Sequence, residues 1–196
     1  MPAFSTFRQP GASFPDPPFP SLTPQSLLGE WWVTTSTLPM WKSAKNITIT
    51  YSTIPSDPTS IDDTVQYFPR SANLSDPDKA VTPKSIRGVD YPLTSNSTDL
   101  SYKWRGRGWL MIATSKWQVV GYGGEAVHEV DGVLQGVDWV VTFFEKSLFT
   151  PAGVDIMTVG KGGVDAKTLQ VIQDALKENG SVLAELQSQM FEIPRD

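Results

Sequence analysis

The chain has 196 residues, 39% of them hydrophobic and 19% charged, a balance that suits one folded domain and excludes a disordered polymer. A formal net charge of -5 argues against a nucleic-acid partner, since phosphate binding needs a basic face and the one dense basic cluster, Lys103, Arg105 and Arg107, is short. With no cysteine, disulfides, thiolate metal sites and cysteine nucleophiles are excluded, and a reducing compartment is the natural setting.

Residues 1–25 carry Pro15, Pro17, Pro18, Pro20 and Pro24, which predict an irregular arm ahead of one domain at 26–196. The start lacks an apolar stretch behind a basic one, so it does not read as a secretory leader. The expected location is cytoplasmic, with secretion left open if a leader is missing. No apolar run approaches the ~18 residues that a membrane helix needs. The sequons at Asn46, Asn73, Asn96 and Asn179 would matter only in a secreted chain.

From Gly29 onward, short runs of β-branched and aromatic residues alternate with Pro, Gly, Ser and Asp clusters. Strands are predicted at 30–37, 46–54, 64–68, 85–89, 100–105, 108–114, 117–122, 138–145 and 154–159. The second is the clearest: Ile47, Ile49 and Tyr51 fall on one face, and Thr48, Thr50 and Ser52 on the other. Short links such as Arg105-Gly106-Arg107-Gly108 and Thr114-Ser115 suit antiparallel hairpins, because parallel crossovers need about a dozen residues. One helix is predicted at 165–177. Asp165 caps it, Leu169, Ile172, Ala175 and Leu176 recur at helical spacing, and Asn179-Gly180 ends it. A second short helical stretch starts at Ser181. So long an antiparallel sheet must close into a barrel or fold into a sandwich, because free edges aggregate.

Gly29-Glu30-Trp31 opens the first strand just after the arm. The stretch 46–52 follows as a second strand. Val137-Asp138-Trp139 precedes a late strand, and the last strand runs directly into the helix. In these features the chain resembles the lipocalins of the calycin superfamily over about residues 24–193. It is most like the bacterial outer-membrane-type and plant de-epoxidase lipocalins and the lipocalin-like proteins of fungal natural-product pathways. The resemblance implies an all-β fold: a single antiparallel up-and-down barrel of 8–9 strands, a C-terminal α-helix packed outside, and Trp31 plugging the closed end. Two departures stand out. The family's disulfide is absent, and Gly160-Lys161 stands where the family places an Arg stacked on the motif indole.

Register from this motif turns Trp31, Val33, Thr35 and Thr37 inward and leaves Trp32 outside. The expected ligand lining is Trp31, Val33, Thr35, Ile49, Tyr51, Tyr67, Tyr102, Trp104, Trp109, Met111, Trp117, Trp139 and Phe143, although a slip of one residue would reverse any strand. So aromatic a wall suits a polycyclic, polyene or other conjugated molecule.

Few residues suggest acid–base chemistry. His128 is the only histidine and reads as an exposed loop residue beside Glu125 and Glu129, so no metal is expected. Asp62 and Asp63 face opposite sides of a strand and read as solvated turn or cap residues. Asp155 faces inward with Met157 if Lys161 takes the place of the family Arg, and outward, with Ile156 inside, if Gly160 does. Asp155, Arg87 and Tyr51 are the catalytic candidates, and Arg105 is a further polar anchor.

The expected function is binding of a small apolar or amphipathic molecule. The alternative is a cofactor-free enzyme that uses the same chamber for cyclisation or isomerisation, as in Diels–Alderases, where shape and a few donors suffice. No cofactor is expected. An interaction module with a solid barrel is the third class, and cavity volume separates it from the other two.

Overall fold

The computed structural model describes residues 4–15, 21–75, 81–96, 98–148 and 150–196. No helix among them is long and apolar enough to cross a membrane. The strands are β1 (Phe4–Phe7), β2 (Gly29–Ser36), β3 (Ala44–Thr53), β4 (Ile61–Pro69), β5 (Lys84–Pro92), β6 (Ser101–Gly106) and β7 (Thr114–Gly124). They continue with β8 (His128–Val130), β9 (Val133–Gln135), β10 (Trp139–Phe144), β11 (Gly153–Thr158) and β12 (Phe191–Glu192). The α-helices are α1 (Pro24–Leu27), α2 (Ala166–Glu178) and α3 (Ser181–Gln187).

Among the described residues, eight antiparallel strands close into a barrel in the order β2-β3-β4-β5-β6-β7-β10-β11, with β11 returning to β2. Closure removes the free edges that so long a sheet would otherwise expose. Each strand pairs with its predecessor except β10, which reaches back to β7 across the small β8–β9 hairpin. Two short strands cover places where the wall parts. β1 pairs with residues 121–124 of β7, beyond the stretch that β6 holds. β12 pairs with Ser36 and Thr35 of β2, beyond the stretch that β3 holds.

The N-terminal arm is therefore not irregular throughout. Phe4–Phe7 is a strand, and α1 begins with Pro24 at its first turn, where the missing N–H costs no hydrogen bond. Pro17, Pro18 and Pro20 lie outside the described residues. Arg8 ties the arm down from a buried position. Its Nε donates to the Val119 carbonyl at 2.7 Å and its Nη1 to Asp99 at 2.9 Å, with the guanidinium 4.6 Å from the Phe14 ring centroid. The sequence reading did not single out this residue, because its partners are about a hundred positions away.

The stretch predicted as a strand at 108–114 is a turn instead. A 3-10 helix at Gly108–Leu110 and the residues after it link β6 to β7 as a wide hairpin, with Gly108 at φ 63. Thr114-Ser115, expected to be a link, begins β7.

The barrel wall divides two apolar clusters. The inner one contains Trp31, Val33, Ile47, Ile49, Tyr51, Val65, Tyr102, Trp117, Val119, Val140 and Met157. The outer one joins Val120, Trp139, Val141, Phe143, Val154 and Ile156 to Ile172 and Leu176 of α2 and Leu183 and Leu186 of α3. Asp165 caps α2 by accepting the Thr168 N–H at 2.7 Å. Gly180, at φ 105, turns the chain between the two helices.

Trp31 is buried and its indole N–H donates to the Leu27 carbonyl at 2.8 Å, which locks the end of α1 onto the barrel. Lys161 covers the neighbouring indole instead, with Nζ 5.5 Å from the Trp32 ring centroid on the outside of the wall.

Candidate functional site

The barrel is hollow. A cavity of about 470 Å³ lies between the loop after β2, the β6–β7 hairpin and the β10–β11 loop. Ile49, Val65, Ile86 and Phe144 form apolar patches of its wall, and Trp41, Tyr51, Trp104 and Trp117 add broad ring faces. Trp117 stacks between two tyrosines, with ring centroids 5.8 Å from Tyr51 and 4.8 Å from Tyr102. Gly88 makes room for Trp104, since a Cβ at position 88 would collide with that indole ring. Loop residues form the rim, and Ile112 there stands 84% exposed.

Three carboxyls are buried on the inner face. Asp63 is 7% exposed, lines the cavity, and leaves its Oδ1 without a hydrogen-bond partner. On the adjacent strand, Asp90 accepts the Trp117 indole N–H at 2.6 Å, and its Oδ2 is unpartnered. Asp155, 1% exposed, also lines the cavity and accepts from the Ser36 hydroxyl, which in turn accepts the Leu38 N–H at 2.9 Å. The indole N–H of Trp41, also on the wall, is buried near Asp155 but outside hydrogen-bond geometry.

Burial disfavours the charged form of each acid. It pushes Asp155 up to about 7, against the lowering pull of Ser36 and Trp41. It raises Asp63 too, with Asp62 adding to the rise. Asp90 is raised by burial and then by Asp63, while the Trp117 hydrogen bond works the other way. The Tyr51 hydroxyl is raised well above its ordinary value by burial and by Asp63 and Asp90.

The structure brings Ile49, Tyr51, Trp104 and Trp117 together on the cavity wall. Trp31, Val33 and Tyr102 also face inward, but they are packed into the core beside the cavity. Tyr67 packs edge-on against Trp41 at 5.5 Å. Asp155 takes the inward alternative, with Met157 in the inner cluster and Ile156 in the outer one.

Other candidates are corrected. Trp139 and Phe143 share a face, but it is the outer one against α2 and α3; Val140 and Phe144 turn inward instead. Thr35 is turned away because β2 shifts register against β11 between Val33 and Thr35, so Ser36 takes the inner face beyond that point. Thr37 lies past the end of β2, where its hydroxyl accepts the Val154 N–H at 2.8 Å. Met111 sits in the β6–β7 hairpin and is 57% exposed; the side chain of Trp109 lies outside the described residues. Arg87 and Arg105 are exposed on the outer surface. His128 is exposed and turned back on the Ala126 carbonyl at 2.7 Å.

The sequence reading missed several inner residues, among them Asp63 and Trp41 on the cavity wall and Asp90 buried on the adjacent strand. Asp62 does face solvent, where it pairs with Arg107 at 2.7 Å. The alternation that puts Asp62 outside puts Asp63 inside, so that step was available from the sequence. Its pairing with β5, which brings Asp90 to the same face, was not.

No protein-family model matches the sequence, and no curated protein matches it. Solved structures do match. Apocrustacyanin C1 is 10% identical, with a TM-score of 0.54 over 98% of this chain and 92% of that one. Insecticyanin from the tobacco hornworm Manduca sexta is 10% identical, with a TM-score of 0.53 over 96% of this chain and 87% of that one. The siderocalin Ex-FABP, described as functioning through dual ligand specificities, is 8% identical, with a TM-score of 0.52 over 87% of this chain and 95% of that one. Identities this low speak for architecture alone. With the closed eight-stranded barrel, the outer helix and the Gly29-Glu30-Trp31 start, they establish that this chain has the lipocalin fold.

Proposed function

We propose that the protein binds one small, largely apolar molecule with a flat or conjugated body in the barrel cavity. The observation that carries this reading is the cavity itself: about 470 Å³, walled by the rings of Trp41, Tyr51, Trp104 and Trp117. Pockets of that size accommodate single drug-sized ligands, and ring faces give large contact area at little entropic cost. The dual ligand specificities attributed to the siderocalin Ex-FABP support the idea that a barrel of this architecture takes ligands.

Titration with a conjugated apolar probe such as retinol is expected to quench the tryptophan emission saturably, with one site per chain. Trp104→Ala and Trp117→Ala should weaken the response about tenfold each or more, in line with losing a buried aromatic contact. Probes of every shape failing to quench would defeat the binding reading.

One observation favours a second reading, cofactor-free cyclisation or isomerisation of the bound molecule. Asp155, held near neutrality at about 7 on the cavity wall, is suited to donate a proton and take it back. Chromatography of the same incubations separates the two readings, since unchanged probe means carriage and a new product means turnover.

A further inference from the structure

We propose that the molecule held in this cavity is an amphipathic organic amine, its protonated nitrogen facing the lining carboxyls Asp63 and Asp155 and its apolar body lying against Trp104, Trp117 and Tyr51. This inference rests on the binding reading above and adds the chemical class of the ligand.

The argument starts from a mismatch. Burying a carboxylate is costly unless something pairs with it. Asp63 and Asp155 are both more than nine-tenths buried, and both line the same cavity, from β4 and β11. No lysine, arginine or histidine is among the lining residues. The buried cations are committed elsewhere, Arg8 to Asp99 at 2.9 Å and Lys45 to Asp196 at 2.6 Å. Asp63 Oδ1 is a buried acceptor without a hydrogen-bond partner, on a residue that lines the cavity. Among the described residues, the acids of this cavity meet no positive counterpart in its lining.

The groups that face these two acids do not supply one. Around Asp63 stand Tyr51 on β3, Gly88 and Asp90 on β5, and Asp62, which points outward on its own strand. Around Asp155 stand Ser36 on β2, Thr142 on β10 and the Trp41 indole. All are neutral or acidic. An anionic ligand would meet the lining carboxyls of Asp63 and Asp155. A neutral ligand without donors would leave the Asp63 acceptor unused. An organic cation satisfies both the carboxylates and the ring faces, whose π-clouds attract positive charge. A bare metal ion fits poorly: among the described residues no three acidic or histidine side chains converge to hold one.

Binding such a cation favours the ionised acids, so it releases protons near neutrality and strengthens as pH rises.

The test uses the whole chain and two flat probes of like shape, aminoacridine, which is protonated at pH 8, and acridine, which is neutral there. By calorimetry, aminoacridine is expected to bind about tenfold or more tighter than acridine. Its affinity should fall as the pH drops from 8 to 5, and its apparent binding heat near pH 7 should depend on the ionisation heat of the buffer, the mark of released protons. Asp63→Asn and Asp155→Asn should each remove most of the preference for aminoacridine over acridine. Equal affinity for the two probes, or tighter binding of anilinonaphthalene sulfonate than of aminoacridine, overturns the amine while leaving the cavity reading intact. Failure of all three probes to bind overturns both. The pH dependence is read on the native chain, so the inference is tested even if a variant does not fold.

Discussion

At pH 8, Asp155→Asn should be more stable than the native chain by about 4 kcal/mol, and near pH 4 the gain should disappear. The sign follows from which state holds the proton. Folding raises the Asp155 carboxyl from 3.8 to about 7, so between those values the unfolded chain ionises while the native chain stays protonated. Native stability from this group is intact below about pH 4, declines as pH rises through 7, and stays low above it. An Asn side chain never ionises and can still accept from the Ser36 hydroxyl, so it escapes the decline. Urea denaturation at the two pH values measures the difference directly. A gain of equal size at both would mean that the carboxyl does not titrate in the native barrel. The wild-type residue thus lowers stability at neutral pH, which is the usual signature of a group kept for binding or chemistry.

Trp31→Ala should cost about 3–5 kcal/mol, the range for truncating a large buried ring. Two losses add here. The ring leaves a void in the inner cluster, and the Leu27 carbonyl loses the donor that pins α1. The urea midpoint reports the first, and the far-ultraviolet spectrum should change little, since the strands remain paired. An unchanged midpoint would show that the indole supports nothing.

Both predictions concern parts of the molecule that were unequally legible in the sequence. The Gly29-Glu30-Trp31 start, the alternation at 46–52 and the helical spacing after Asp165 are local signals, and the resemblance they carry implied the barrel with its outer helix. What failed depends on contacts far away in the chain. Phe143 and Trp139 share a face, but only the pairing of β10 with β7 and β11 decides which face is inside. The shift between Val33 and Thr35 exchanges Thr35 for Ser36 on the inner face, and no local pattern announces it. Met111 and Ile112 look like strand residues by composition, yet a Gly at positive φ turns the chain ahead of them. The candidate site was legible in its aromatics and only partly in its acids, because an inward carboxylate violates the expectation that charge seeks water.

The close seat of Trp104 on Gly88 makes position 88 a gauge of capacity. A methyl group there would drive the indole off its strand and toward the hollow, shrinking the space for a guest without altering any group that touches it chemically. Gly88→Ala would then act as a size filter, excluding bulky guests while compact ones still enter. Selectivity for shape and selectivity for charge would reside at separate addresses in the same wall, open to independent adjustment.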